Sequence, residues 1–402
     1  MTEVVTNVLR GMLFFSWERP RDCRSWDRAE EAWGSFRGAQ LHFRPMFSPS
    51  RLLAIALITT GCGPSSAKAP IEVLPPGTDP IVSPVGEATD AVWLGGERWA
   101  IIAPQDKAVS LVDFTSRTIS PFGGARGAKE YQQPFDIFRT GDSVAIGDWQ
   151  MRRTTIWSLD GKMIGIIPAV NSLRGALPRA RDGAGRWYFE LRPLPGPEGA
   201  GNRDSAFVIR TESDFSQPDT VIRLAPLDVV EMISEGRRRF ERRLLSGQDR
   251  WGVLPDGSLW VARVQQNRVD WVGNDQAVHR GPELPDQVFP VSEPDRELFL
   301  RRFPQELRAT AEQIPFAAIK PPFEAAFTTP AGQVWLVKSR AVGDSLRSNQ
   351  VVGRDGHLTR EVRHHGHGHV LAASQSAVLL TEPFEGGVRL YQIALPQATP
   401  AQ

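Results

Sequence analysis

The chain has 402 residues, with 47 Lys and Arg against 46 Asp and Glu, so the net charge is +1. That balance argues against a wholesale electrostatic partner, and no nucleic acid partner is expected. Hydrophobic residues at 41% and charged residues at 23% exclude bulk disorder, and two cysteines exclude a disulfide scaffold or a four-cysteine zinc site. The 36 Gly and 32 Pro point to many turns.

In chain order, residues 1–45 hold Trp17, Trp26 and Trp33, many Arg and no clear period. Residues 46–62 then read MFSPSRLLAIALITTGC. Arg51 supplies a positive charge, Leu52 to Ile58 a short apolar run, and Thr60-Gly61 a small pair before Cys62. This is the three-part build of a secretory signal, too short to span a bilayer. Ending on Gly-Cys, it resembles a bacterial lipoprotein signal, with Thr59 standing where that family usually has Leu. The resemblance implies that Cys62 is lipidated. Gly63 rather than Asp after it implies an outer-membrane address in the cell envelope. Such a signal belongs at an N-terminus, so translation is expected to start at Met46, with residues 1–45 an over-extended start. The alternative is a real N-terminal segment followed by a buried apolar stretch and a free Cys62. Residues 62–85 read as a tether and a closing strand, and residues 86–402 as one domain. A monomer is expected.

From about residue 86 the chain returns to one pattern, a tight turn followed by an apolar strand. It occurs at 95–102 (GGERWAII), 140–147 (TGDSVAIG), 183–190 (GAGRWYFE), 255–262 (PDGSLWVA), 330–337 (PAGQVWLV) and 374–381 (SQSAVLLT). The spacing is that of propeller blades, with about 30 residues added in two places. The recurring Trp99, Trp187, Trp260 and Trp335 read as packing between blades. The first excess contains a Pro/Gly loop over 193–205 and a segment over 227–247 that reads as a helix. Asp228 would cap it, Val229, Ile233, Phe240 and Leu244 fall at near-helical spacing, and Gly247 would end it. The second excess, 292–313, reads as a helix capped by Ser292 and broken at Pro304. The last unit offers only three strands, so 71–76 (IEVLPP) is expected to supply its fourth and hide the sheet edges.

The fold class predicted is thus all-β, a six-bladed β-propeller with two helical inserts and a ring closed by an N-terminal strand. The Pro-aromatic strand starts at 134–138 (PFDIF) and 322–327 (PFEAAF), each followed by such a turn, resemble those of TolB-like and NHL-like propellers. The resemblance covers about residues 70–398. It implies the fold and leaves activity open, since that superfamily holds enzymes and binding modules alike.

Inner strands line a propeller's channel, so their first residues nominate a site. Counting back from the aligned strands gives Asp90, Asp136, Arg179, Trp251, Glu324 and His369. Asp90, Asp136, Glu324 and His369 are candidates for a divalent cation, calcium or zinc, or for a small polar ligand. The competing reading is a wet channel with paired charges, for example Arg179 with Asp136. His364, His365 and His367 form a possible metal loop at 363–369 (RHHGHGH), with polar-loop chemistry as the alternative. Arg237, Arg238, Arg239, Arg242 and Arg243 form a candidate patch for an anionic partner, or a solvated face. The functional expectation is a lipid-anchored binding module for a ligand or protein. The alternative is a metal-dependent hydrolase of lactonase type with its site in the channel.

Overall fold

A computed structural model describes residues 69–124, 130–193, 204–234, 237–301, 303 and 305–396. The signal, Cys62 and the Pro/Gly stretch 194–203 lie outside the described residues.

Two short strands, β1 (Ile71–Val73) and β2 (Ile81–Ser83), precede six antiparallel units. Blade 1 is β3 (Asp90–Gly95), β4 (Arg98–Ala103), β5 (Ala108–Asp113) and β6 (Thr118–Pro121). Blade 2 is β7 (Pro134–Thr140), β8 (Ser143–Asp148), β9 (Arg153–Ser158) and β10 (Met163–Pro168). Blade 3 is β11 (Ala180–Arg181), β12 (Trp187–Leu191), β13 (Phe207–Thr211) and β14 (Asp219–Arg223). A separate hairpin, β15 (Val229–Ser234) and β16 (Arg237–Arg242), follows. Blade 4 is β17 (Arg250–Val253), β18 (Leu259–Arg263), β19 (Arg268–Val272) and β20 (Val278–Arg280). Two helices, α1 (Glu293–Leu300) and α2 (Gln305–Ala311), lead to blade 5, built from β21 (Phe323–Thr328), β22 (Val334–Lys338), β23 (Leu346–Val352) and β24 (Leu358–His365). Blade 6 holds β25 (His369–Ala373), β26 (Ala377–Phe384) and β27 (Gly387–Ala394). All six turn-and-strand motifs of the sequence are the second strands of blades.

The inner strands meet in a closed cycle: β3 on β7, β7 on β11, β11 on β17, β17 on β21, β21 on β25 and β25 on β3. The chain is therefore a six-bladed β-propeller. Its core is not one cluster but six, one at each blade interface. Trp99, Ile101 and Val112 of blade 1 pack on Leu371 and Leu379 of blade 6. On the opposite face of the same sheet, Ala100, Ile102 and Val109 meet Ile146 and Trp157 of blade 2. Both faces of β4 are buried, so its sequence WAIIA is a continuous apolar run rather than an alternation. Trp187, Trp260 and Trp335 likewise enter clusters shared with a neighbouring blade.

Two expectations need correction. The strand that completes blade 6 is β2, not 71–76: Ile81 pairs with Leu390 and Ser83 with Val388, antiparallel. β1 instead adds a fifth strand to blade 5, parallel to β24, with Glu361 donating its N–H to the Pro70 carbonyl at 2.9 Å. The proline pair Pro75-Pro76 ends β1. Gly77 then slides over Tyr391, where a Cβ would lie 2.5 Å from the ring, and only after that does the chain reach the edge of blade 6. Ile81 and Ser83 are buried there and Val82 is exposed, the alternation of a one-sided edge strand.

The first insert is not a helix. Residues 229–242 form the β15–β16 hairpin, in register from Val229↔Arg242 to Ser234↔Arg237, with two residues between the strands. Val229, Val230 and Ile233 are β-branched and disfavour a helix. The second insert is helical. Ser292 caps α1: its N–H and hydroxyl both donate to Asp295, at 2.9 and 2.6 Å. Two helices separated near residue 304 follow, as the proline predicts.

Candidate functional site

Both inserts join an outer strand to the next inner strand, so both rise from the face where the inner strands begin. They are tied to each other. Leu244, just past the hairpin, receives and donates backbone bonds with Ala317 and Pro315 at 2.9 Å each. Phe316, next to that bridge, packs edge-on against Phe299 of α1 at 5.9 Å. Lys320 pairs with Asp295 of α1 at 2.5 Å and donates to the Arg340 carbonyl beyond β22. The two additions thus form one rim beside the channel mouth, spanning blades 3 to 5.

At the mouth, charges from different blades converge. Arg179, one residue before β11, donates from Nε to Asp136 Oδ2 at 3.1 Å and from a terminal nitrogen to Glu190 Oε2 at 2.8 Å. Trp251 of β17 donates its indole N–H to the same Glu190 oxygen at 2.9 Å, and Arg179 lies over its ring at 5.8 Å. Arg192 holds the other Glu190 oxygen at 2.6 Å. Asp136 is buried and Arg179 about one-third exposed. Blades 2, 3 and 4 each contribute a side chain, so the network exists only where these three blades pack side by side.

The electrostatics follow from this crowding. Burial pushes the Asp90 carboxyl up to about 7, and the neighbouring Asp136 adds to it. Burial also raises Asp136, against the opposing pull of Arg179. Burial acts upward on Glu190 too, but Arg179 and Arg192 outweigh it and hold this carboxyl below its ordinary range. Burial and Arg179 lower Arg250. Arg242, at the end of the hairpin, is lowered to about 10 by burial, Arg250 and Arg192. Its donors are taken by Ser246 and Gln248.

The six sequence candidates do stand at the starts of inner strands, but only some act together. The charges bearing on Asp90 are Asp136, Arg250 and Arg179. Glu324 is exposed and acts on Arg347 of its own blade. His369 opens β25, half-buried, opposite Thr381. Among the described residues no three His, Cys, Asp or Glu side chains are grouped to hold a metal ion. The expected calcium or zinc quartet is not assembled: Asp136 is bonded to the Arg179 guanidinium, which would repel a cation, and Glu324 is exposed on blade 5. Sequence reasoning missed Glu190, Arg192 and Arg250, and placed Arg242 in a separate patch. Glu190 ends a motif strand, and its partner Arg179 lies 11 residues away across β11–β12, a pairing no linear pattern marks.

The histidine loop runs from β24 to β25 as the sequence implies, yet its members diverge. His364 is buried and His365 exposed, since successive strand residues face opposite ways. His367 is exposed, and its carbonyl accepts from Arg347 at 2.8 Å. Neither ring nitrogen of His364 has a well-placed hydrogen-bond partner. Burial and Arg347 lower it to about 4. Of the arginine patch, Arg237, Arg238, Arg239 and Arg242 lie on β16 and Arg243 just past it, and the side chains of Arg237 and Arg239 lie outside the described residues. Arg238 pairs with Glu231 at 3.5 Å and Arg243 with Asp228 at 3.3 Å.

No protein-family model matches the chain, and no curated protein sequence does. Among solved structures it is similar to a calcium-binding regucalcin from Agrobacterium tumefaciens, at 8% identity over 81% of this chain and 96% of that one, TM-score 0.39. It is similar to a gluconolactonase from Xanthomonas campestris at 12% identity over 82% and 99%, TM-score 0.42. It is also similar to a virginiamycin B lyase from Staphylococcus aureus at 8% identity over 79% and 99%, TM-score 0.41. Likeness at this level carries nothing about activity, and the six-blade assignment rests on the strand pairing above.

Proposed function

We propose that this propeller is a binding module for a small polar ligand seated at the channel mouth beside the joined inserts, and that Cys62 carries a lipid that holds it at the bacterial cell envelope. One observation carries the binding reading: the charged network of Asp90, Asp136, Arg179, Glu190 and Trp251, assembled from four blades. Burying charge is costly, and the six apolar interfaces already hold the blades together. A network of this kind away from those interfaces is what a recognition site requires. The anchor reading is supported by the Gly-Cys signal and by the Pro-rich tether after it.

Thermal unfolding against a panel of small polar ligands tests the site. At least one is expected to stabilise the parent protein and not the Trp251→Ala variant. A panel that shifts neither protein contradicts the reading. The second reading, a hydrolase of lactonase type, is favoured by one feature: Asp90, with a near-neutral carboxyl beside Asp136, is suited to proton transfer. Turnover of the stabilising ligand, lost in Asp90→Asn, would select it. For the anchor, Cys62→Ser is expected to move the protein from the membrane fraction to the soluble one, and persistent membrane association contradicts lipidation.

A further inference from the structure

We infer that the seam between blades 5 and 6 encloses a water site, in which an ordered water molecule joins Arg347, Asn349 and His364 beneath the loop 366–368. The inference is independent of the reading of the mouth. Arg347 and Asn349 lie on β23 and His364 on β24. Arg347 stands directly opposite His364 in the ladder, and Asn349 opposite Val362. Opposed residues of an antiparallel pair point to one side of the sheet, and residues two apart share it. Val362 packs with Val370 and Leu380 of blade 6, so this is the side that meets blade 6. Three polar side chains thus enter the apolar seam at adjoining positions.

Their polar atoms are left over. His364 is 2% exposed and Asn349 1%. Neither ring nitrogen of His364 has a partner in the protein, nor has Oδ1 of Asn349, nor the shielded Nε of Arg347. Ser339, two residues past Asn349's other cross-strand partner Val337, adds a buried hydroxyl that also lacks one. Five of the thirteen such atoms among the described residues therefore belong to one end of blade 5. Changing roles does not relieve them. Asn349 Nδ2 already donates to the Val362 carbonyl at 3.2 Å, and a terminal nitrogen of Arg347 to the His367 carbonyl at 2.8 Å. With the Gly366 N–H donating to the Ser345 carbonyl at 2.9 Å, the latter bond fastens the loop over this end of the seam.

The donors and acceptors select the occupant. His364 is neutral above about pH 4, so one ring nitrogen donates and the other accepts. Arg347 Nε–H adds a donor and Asn349 Oδ1 an acceptor. A cation would face the Arg347 guanidinium with a single imidazole to hold it. An anion would face the Asn349 oxygen and the accepting ring nitrogen. An uncharged molecule that both donates and accepts suits all of them, and water is the smallest. Buried groups without partners are costly, whereas one internal water commonly makes about three hydrogen bonds.

High-resolution crystallography of the full chain, with a second crystal pressurised under xenon, tests this. A water peak within hydrogen-bond distance of His364 and of Asn349 or Arg347 is expected, with no xenon in the seam. Xenon there, a seam without a water peak, or a His364 ring bonded directly to another side chain overturns the inference. In solution, oxygen-17 relaxation dispersion counts long-lived internal waters. The double variant His364→Leu, Asn349→Leu is expected to lose at least one relative to the parent, and an unchanged count also overturns it. In denaturant unfolding, Asn349→Leu is expected to cost less when residue 364 is already Leu, because the shared water has then lost a partner. Additive costs would contradict the bridge.

Discussion

His364 and Asp90 pull stability in opposite directions with pH. The fold keeps His364 neutral down to about pH 4, whereas an unfolded imidazole protonates below 6.5. Stability is therefore lost as pH falls from about 6.5 to about 4, by about 3 kcal/mol in all. Asp90 keeps its proton to about 7 in the fold, whereas the unfolded chain ionises it near 3.8, so its contribution is lost as pH rises through that window. His364→Leu removes two buried, unbonded nitrogens. It is expected to raise the melting temperature at pH 5 more than at pH 8, measured by calorimetry; an equal shift at both contradicts the buried-neutral assignment. At this scale the sequence was informative about identity and poor about company. The blade-period tryptophans could be placed in the core because one chemical type recurred at one spacing. That Asp136 answers Arg179, that Glu190 answers two arginines, and that the histidines of one loop part to opposite sides depend on facing and depth, which a list of residues does not encode.

Among elements, the second strands were legible because each begins at a turn and is apolar on both faces. The two misread segments share a cause. Residues 229–244 have apolar positions compatible with either a helix or a strand pair, and the β-branched Val229, Val230 and Ile233 favour the pairing that forms. In the N-terminal segment two short apolar stretches competed for one edge, and the later one fits because Ile81 faces the interface of blades 6 and 1. The closure assignment separates these stretches energetically. Ile81 is 5% exposed and Ile71 is 42% exposed. Ile81→Ala is expected to cost about 2–4 kcal/mol in denaturant unfolding, and Ile71→Ala about 0.5 or less. Equal costs would contradict closure through β2.

Over the whole molecule, stability and recognition are separated in space. Apolar contacts run radially between blades, while charge gathers at one mouth beside a rim made of a hairpin and two helices. The ring was readable from repetition. The site was readable only as a set of inner-strand starts, because its charge balance comes from residues that no repeat marks: Arg192 follows a strand, and Arg242 belongs to an insert. Thermal unfolding of the full chain against a panel of small polar ligands tests the recognition site at the mouth most directly. The account predicts that at least one ligand stabilises the parent protein and not the Trp251→Ala variant. A panel that shifts neither protein, or shifts both alike, would contradict it.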